Sequence, residues 1–407
     1  MKIRGWAAVT ALVCLLSSCA GTGAATDGQT GQDRFSEQNL AYRKESGRAF
    51  SRAVWVSYLD LMPLITADRS GFESQIDAML DNLATISATD LFFQVRAFGD
   101  SLYPSSVYPS ASHTVYANLS GSFDYFQIVL EKAHARGIRV HAWVNLYRLH
   151  SSQSANYQSF VDGLKQQDAN AVASVGERRV LNPASEAVRR LIMNGITELL
   201  DYYDIDGIHL DDYFYQTTDA AYDEAYYTAY RGGGGDQTRE DWRRGNITGI
   251  IRQIHDAVKA KNPDIEFGIS PNASVERNYS QYYLDVELLC REPGIIDYIC
   301  PQIYFGYQNQ SMPFLPTVSS WAGIATGCRL MVGLSYYKVG ANDGYAGTGG
   351  SEWLESFDII SRQYLDSIEI SNCSGVAFFR YGSIFQPSEE VATFAGLELY
   401  NLRQAIG

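Results

Sequence analysis

The 407-residue sequence is short of basic residues: 32 Lys and Arg stand against 46 Asp and Glu, a formal net charge of −14. A deficit of that size argues against a phosphate-backbone partner, which needs a basic footprint, so no nucleic acid is expected to bind. Histidine is scarce, with six in the chain and none in an HExxH or paired spacing. Cysteine is equally sparse, and none of the six falls in the CxxC spacing of a zinc site. Asp204-Ile-Asp206-Gly207 has the opening of a calcium loop, but the later oxygen ligands and the bidentate Glu are absent. No metal and no cofactor are therefore expected. After residue 16 there is no run of about 18 apolar residues, which excludes a transmembrane helix.

What is present begins with a targeting segment. Lys2 and Arg4 precede an apolar run, Trp6 to Leu16, that is too short to span a bilayer permanently. Leu16-Ser-Ser-Cys19 follows and resembles a bacterial lipobox, in which the Cys becomes the lipid-bearing first residue of the mature protein. Residues 21–32, rich in Gly, Thr and Ala with one charge, read as a flexible tether. The expected organisation is a signal peptide over 1–18, lipidated Cys19 and tether over 19–49, and one domain over 50–407. That places the protein outside the cytoplasm, held to the cell membrane by its lipid. Cys290, Cys300, Cys328 and Cys373 remain, and are read as free thiols because a domain this large needs no disulfide staples.

Beyond residue 50 the chain alternates short β-branched and aromatic runs with helical patterns. Strands are expected at 53–58, 90–96, 138–145, 206–213, 265–271, 296–304, 329–336 and 375–381. Phe72, Ile76, Met79, Leu80 and Leu83 recur at helical spacing, as do Val188, Leu191, Ile192, Ile196, Leu199 and Leu200. Ile247, Ile250, Ile251 and Ile254 mark another helix, which Thr238 should cap with Asp241 three residues on. Eight strand–helix units predict an α/β fold, a (β/α)8 TIM barrel with long βα-loop insertions.

In such a barrel, functional groups gather at the C-terminal strand ends. Gln94 and Arg96, Asn145 and Arg148, Asp211 and Asp212, Ser270 and Asn272, and Gln302 and Tyr304 all fall there. Asp206-Gly-Ile-His-Leu-Asp-Asp-Tyr-Phe-Tyr215 is the most telling segment. Ile208 and Leu210 point one way, and His209, Asp211 and Tyr213 the other. A carboxylate ending an apolar strand is costly to place unless it faces a cleft. Paired carboxylates beside aromatic rings are the equipment for cutting glycosidic bonds, so Asp211 and Asp212 are the candidate catalytic pair. Asp100, His209 and Tyr213 join Gln94, Arg96, Asn145, Arg148, Asn272, Gln302 and Tyr304 as candidate substrate-binding residues.

These segments also resemble a known family. Gln94-Val-Arg96, Gly99-Asp-Ser-Leu-Tyr-Pro-Ser105, His134-Ala-Arg-Gly137, His141-Ala-Trp-Val-Asn-Leu-Tyr-Arg148 and Leu181-Asn-Pro183 are similar to motifs of the glycosyl hydrolase-like family 10. So are Asp206 to Tyr215, Asp241-Trp-Arg-Arg-Gly-Asn246, Phe267-Gly-Ile-Ser-Pro271 and Asp297-Tyr-Ile-Cys-Pro-Gln-Ile-Tyr304, in order, from about residue 50 to about 385. The resemblance implies a barrel that hydrolyses glycans, with peptidoglycan strands as the substrate of characterised members and lipid anchoring as a common trait. The fourth strand also resembles that of chitinase-type barrels, D-G-x-D-x-D-x-E, through Asp206, Gly207 and Asp211. Tyr213 stands where that pattern has its acid Glu, and a phenol of reference pKa near 10 is a poor proton donor at neutral pH. Asp212 is then the nearest donor, with Asp100, Glu224 and Asp241 behind it. Asp211 fits two roles: nucleophile, or the group that orients a substrate N-acetyl for attack. Arg148 could hold a carboxylate such as a lactyl group in a bidentate fork. The sequence does not set the oligomeric state.

Overall fold

The computed structural model describes residues 49–407. The proposed signal peptide and Cys19 lie outside the described residues. Eight parallel strands close into a barrel in sequence order: β1 (Ser51–Val56), β2 (Asp90–Arg96), β3 (Arg139–Val144), β4 (Gly207–Leu210), β5 (Glu266–Ile269), β6 (Tyr298–Ile299), β7 (Arg329–Ser335) and β8 (Cys373–Phe379). The predicted fold class is thus the one observed. Helices wrap the outside, among them α1 (Arg69–Ala84), α2 (Tyr125–His134), α3 (Glu186–Tyr202) and α4 (Arg239–Lys261). The apolar positions read at helical spacing in α1 are its buried face. Thr238 caps α4, its hydroxyl accepting from the Asp241 N–H. Among the described residues no helix is long and apolar enough to cross a membrane.

Strand alternation divides the core in two. Val54, Leu91, Phe93, Val140, Ala142, Ile208 and Phe267 pack outward under the helices, where most of the apolar surface is buried. Ala53, Trp55, Phe92, Trp143, Tyr298, Cys300, Met331 and Ala377 fill the barrel interior. Two glycines make room for the large inner side chains. A Cβ on Gly207 would stand 2.2 Å from His141 Nδ1, and one on Gly268 would stand 2.0 Å from the Tyr298 ring. Neither ring can retreat in a filled barrel. Gly268→Ala is therefore expected to destabilise by about 1–3 kcal/mol or more through overpacking, read as a lowered denaturant midpoint at unchanged slope.

Strands β5 and β6 are shorter than the sequence suggests. Pro271 and Pro301 end their ladders, because neither has an N–H to donate. Pro301 still accepts from Gly333 N, and Gln302 N donates to the Pro271 carbonyl, so the loops after β5 and β6 stay bound together. A small antiparallel sheet follows β3, built from Arg148–Leu149, Val172–Val175 and Arg178–Leu181. It was not foreseen, and it carries Arg148. Cys290, Cys300 and Cys328 are free thiols.

Candidate active site

The chain leaves the barrel at Leu210, so Asp211 and Asp212 lie just past the end of β4. The strand's alternation would have sent their side chains to opposite faces, but beyond the ladder both reach one cavity of about 220 Å3 at the barrel mouth. Asp211 turns toward β3. Its Oδ2 accepts from Trp143 Nε1 at 3.2 Å and from Asn145 Nδ2, and it is almost fully buried. Asn145 is itself fixed, since Gln94 Nε2 donates to its Oδ1 at 2.7 Å and the Tyr58 N–H donates to Gln94 Oε1 at 2.8 Å. Four groups from three strand ends thus hold one carboxylate still. Asp212 is more open to solvent and shares the cavity with Gln302, whose Nε2 donates to the Ser270 carbonyl at 3.2 Å.

Burial pushes the Asp211 carboxyl up to about 7. The Asp212 charge adds to this, while Arg148 and the Asn145 donor hold it back. Asp212 is raised as well, chiefly by the surrounding protein, against its own backbone N–H, Gln302 and Arg148. Two adjacent carboxyls displaced in the same direction share one proton around neutrality and titrate as a pair. Such a pair can give a proton to a leaving oxygen while keeping a negative charge beside it.

Arg148 makes no ion pair with either Asp. Its guanidinium is clamped between the Phe98 ring at 4.3 Å and the Tyr213 ring at 4.2 Å, which fixes its plane. Gln302, Tyr304 and Tyr213 line the cavity with it. So of the twelve residues singled out from the sequence for catalysis or substrate binding, the structure brings Gln94, Arg148, Asp211, Asp212, Tyr213, Gln302 and Tyr304 into the lining of one cavity. Asn145 stands just behind that lining, bonded to Asp211 and Gln94.

Four do not reach the cavity. Arg96 follows an irregularity in the β2–β3 register and is buried outside the barrel, over the Tyr108 ring at 4.4 Å. Asp100 is buried in the loop after β2, where its carboxylate accepts from the Ala97 and Phe98 N–H groups and from the Thr114 hydroxyl. Asn272 accepts from Ser274 N and shapes the loop after β5; its neighbour Ser270 lines the cavity instead. His209 lies one layer too deep. Trp55 Nε1 donates to His209 Nε2 at 3.0 Å, which leaves the proton on Nδ1, 2.9 Å from Tyr298 Oη. Tyr298 can then donate to His141 Nδ1 at 3.2 Å, above Asp90 at the barrel floor. Burial keeps His209 neutral. It is a fixed link in an interior hydrogen-bond chain, not a contact for substrate.

The reserve acids fall away on geometry. Glu224 is exposed and paired with Arg239 at 2.6 Å, and Asp241 bonds Thr238 and Arg244 at the start of α4. Within Asp241-Trp-Arg-Arg the buried ion pair is made by Arg243, against Asp223 at 2.6 Å. Sequence reasoning missed Trp55, Ser57, Tyr58 and Leu59 after β1, and Phe379 at the end of β8, all of which line the cavity. For Trp55, Tyr58 and Phe379 the signal was an aromatic residue at a strand end, a pattern that core packing imitates.

Comparison with known proteins agrees with this architecture. The family described as glycosyl hydrolase-like 10 matches residues 51–346. Glycosyl hydrolase DigH of Escherichia coli K12 is 32% identical over 327 residues, covering 71% of this chain and 74% of DigH. Glycosyl hydrolase YngK of Bacillus subtilis is 28% identical over 317 residues, 72% of this chain and 61% of YngK. Among solved structures, the glycoside hydrolase domain of PgaB from Bordetella bronchiseptica superposes with a TM-score of 0.58 at 14% identity, over 86% of this chain and 99% of that domain. The α-L-fucosidase isoenzyme 2 of Paenibacillus thiaminolyticus gives 0.55 at 14%, over 87% and 49%. Those two likenesses speak for the barrel alone; the matched span and the 32% identity decide the rest, and this chain belongs to the glycosyl hydrolase-like 10 family.

Proposed function

We propose that this protein is a lipid-anchored glycoside hydrolase that cuts cell-wall glycan, with peptidoglycan strands as substrate, on the outer side of the cytoplasm. The observation that carries the chemistry is the carboxyl pair. Among the described residues that line the cavity, only Asp211 and Asp212 are acidic, and both are displaced toward neutrality. The proton that the pair shares leaves from Asp212, nearer solvent, to the glycosidic oxygen as the bond breaks, and Asp211 is left ionised. Asp211, pinned by Trp143 and Asn145, faces the positive charge that develops at the anomeric carbon. Water then completes the hydrolysis with Asp212 returning as base. Trp55, Trp143 and Phe379 supply apolar faces for the sugar, and Gln94, Ser270 and Gln302 supply hydrogen-bonding groups. Ser270 Oγ is buried with no protein partner, ready for a sugar hydroxyl.

Incubation with purified peptide-free glycan strands and mass analysis of the products tests this reading. New reducing ends support it. Binding without new ends would make the protein a glycan-binding lipoprotein, and cleavage confined to another polysaccharide would move the substrate.

The anchor has its own test. Cys19→Ser is expected to release the protein to the soluble phase in detergent partitioning, because the lipid on that residue is the attachment. Membrane association that persists in the serine variant counts against a lipoprotein.

A further inference from the structure

The central cavity does not end at the carboxyl pair. A hollow of about 280 Å3 shares Arg148 and Tyr213 with it, under the loops after β2, β3 and β4. A second, of about 410 Å3, shares Leu59 and lies under the loops after β1, β7 and β8. Strand order around the closed barrel puts β3 opposite β7 and β4 opposite β8. The three spaces therefore form a row across the mouth, with Asp211 and Asp212 in the middle. A pocket walled on one side admits only a chain end, whereas a trench open on both sides admits an internal bond.

The two arms differ in chemistry. On the β8 and β1 side an aromatic path leads outward: Phe379 contacts Trp55 at 5.8 Å and Tyr337 at 6.0 Å between ring centroids. Tyr337 and Leu59 remain 46% and 43% exposed at its end, an apolar platform suited to sugar C–H faces. On the β3 and β4 side the lining is basic, with Arg148, Arg178 and Arg179 against a single acid, Glu177. Arg179 is committed to the His150 and Ser152 carbonyls. Arg148 is held flat by two rings, and none of its nitrogens is within 4 Å of a carboxylate oxygen of the described residues. A planar fork fixed in this way matches a carboxylate geometrically, in a chain otherwise strongly acidic.

We propose that the glycan lies across the whole mouth with sugar units bound on both sides of the cut, and that the arm beyond Arg148 takes a carboxylate-bearing sugar. This rests on the hydrolytic reading for the cut itself, but not for the binding. Two measurements keep the two apart. The first uses the Asp211→Asn variant as a binder, titrated with peptide-free strands and with the same strands after reduction of their lactyl carboxylates to alcohols. Native strands are expected to bind about tenfold more tightly, and adding Arg148→Gln should abolish that preference. Equal affinity for both strands in the Asp211→Asn background, or a preference that survives Arg148→Gln, overturns the carboxylate arm. The second follows product length with the unmodified enzyme. Mixed longer oligosaccharides should precede the smallest products. Release of one short product from the first turnovers overturns the two-sided track while leaving hydrolysis standing. If no glycan is cut, yet the preference and its loss are seen, hydrolysis falls and the binding arm stands.

Discussion

Asp211→Asn is expected to lower glycan hydrolysis by about 10³-fold or more while the protein still folds and binds glycan. The substitution keeps the shape of a side chain that is almost fully buried, so no cavity opens. The amide oxygen can take the place of Oδ2 and still accept from Trp143 Nε1 and Asn145 Nδ2. What disappears is the negative charge beside the anomeric carbon, in surroundings too dry for solvent to replace it. The loss should therefore appear in kcat on peptide-free strands, with little change in KM or in the thermal melt. Residual activity above about a tenth of the original would place the chemistry elsewhere in the cleft. A fall in activity matched by a lowered melting temperature would trace it to folding.

The barrel was legible because its inner and outer faces are written in the strand alternation, and the same parity placed Asp211 inward. Parity, however, gives the face and not the height. His209 shares the inward face with Asp211, yet it sits one layer below the mouth, enclosed by Trp55 and Tyr298. Arg96 stands at its strand end yet away from the cavity for another local reason: the register irregularity after Gln94 breaks the alternation that would have put the two on one face. Asp100 and Asn272 belong to a third type. Short polar side chains just after a strand bond to backbone N–H groups of their own loop, and composition alone cannot separate that use from substrate binding. The apolar lining was missed for the opposite reason. Trp55 and Phe379 have the residue types of a barrel interior, and only the height of the mouth distinguishes a cavity lining from the packed layer beneath it.

Asp212→Asn is expected to cost about 10²- to 10⁴-fold on natural glycan strands, whose alkoxide leaving group needs a proton. A glycoside carrying an activated phenol leaves without one and should be cut much more nearly at the original rate. The pH profile should change with it. In the unmodified enzyme the pair works with one proton on board, so kcat/KM should fall on the alkaline side as that proton is lost, near the value of about 7 to which Asp211 is pushed. Asn at position 212 removes the like charge that helps raise Asp211, so the Asp211 carboxyl should ionise at lower pH. With the activated glycoside, activity of the variant should then rise with pH through that lowered value and stay high, with the alkaline fall gone. Equal losses on both substrates, with the alkaline limb retained, would make Asp212 a positioning residue. The proton would then have to come from Asp211 itself, because Asp100, Glu224 and Asp241 are all committed to partners away from the cavity.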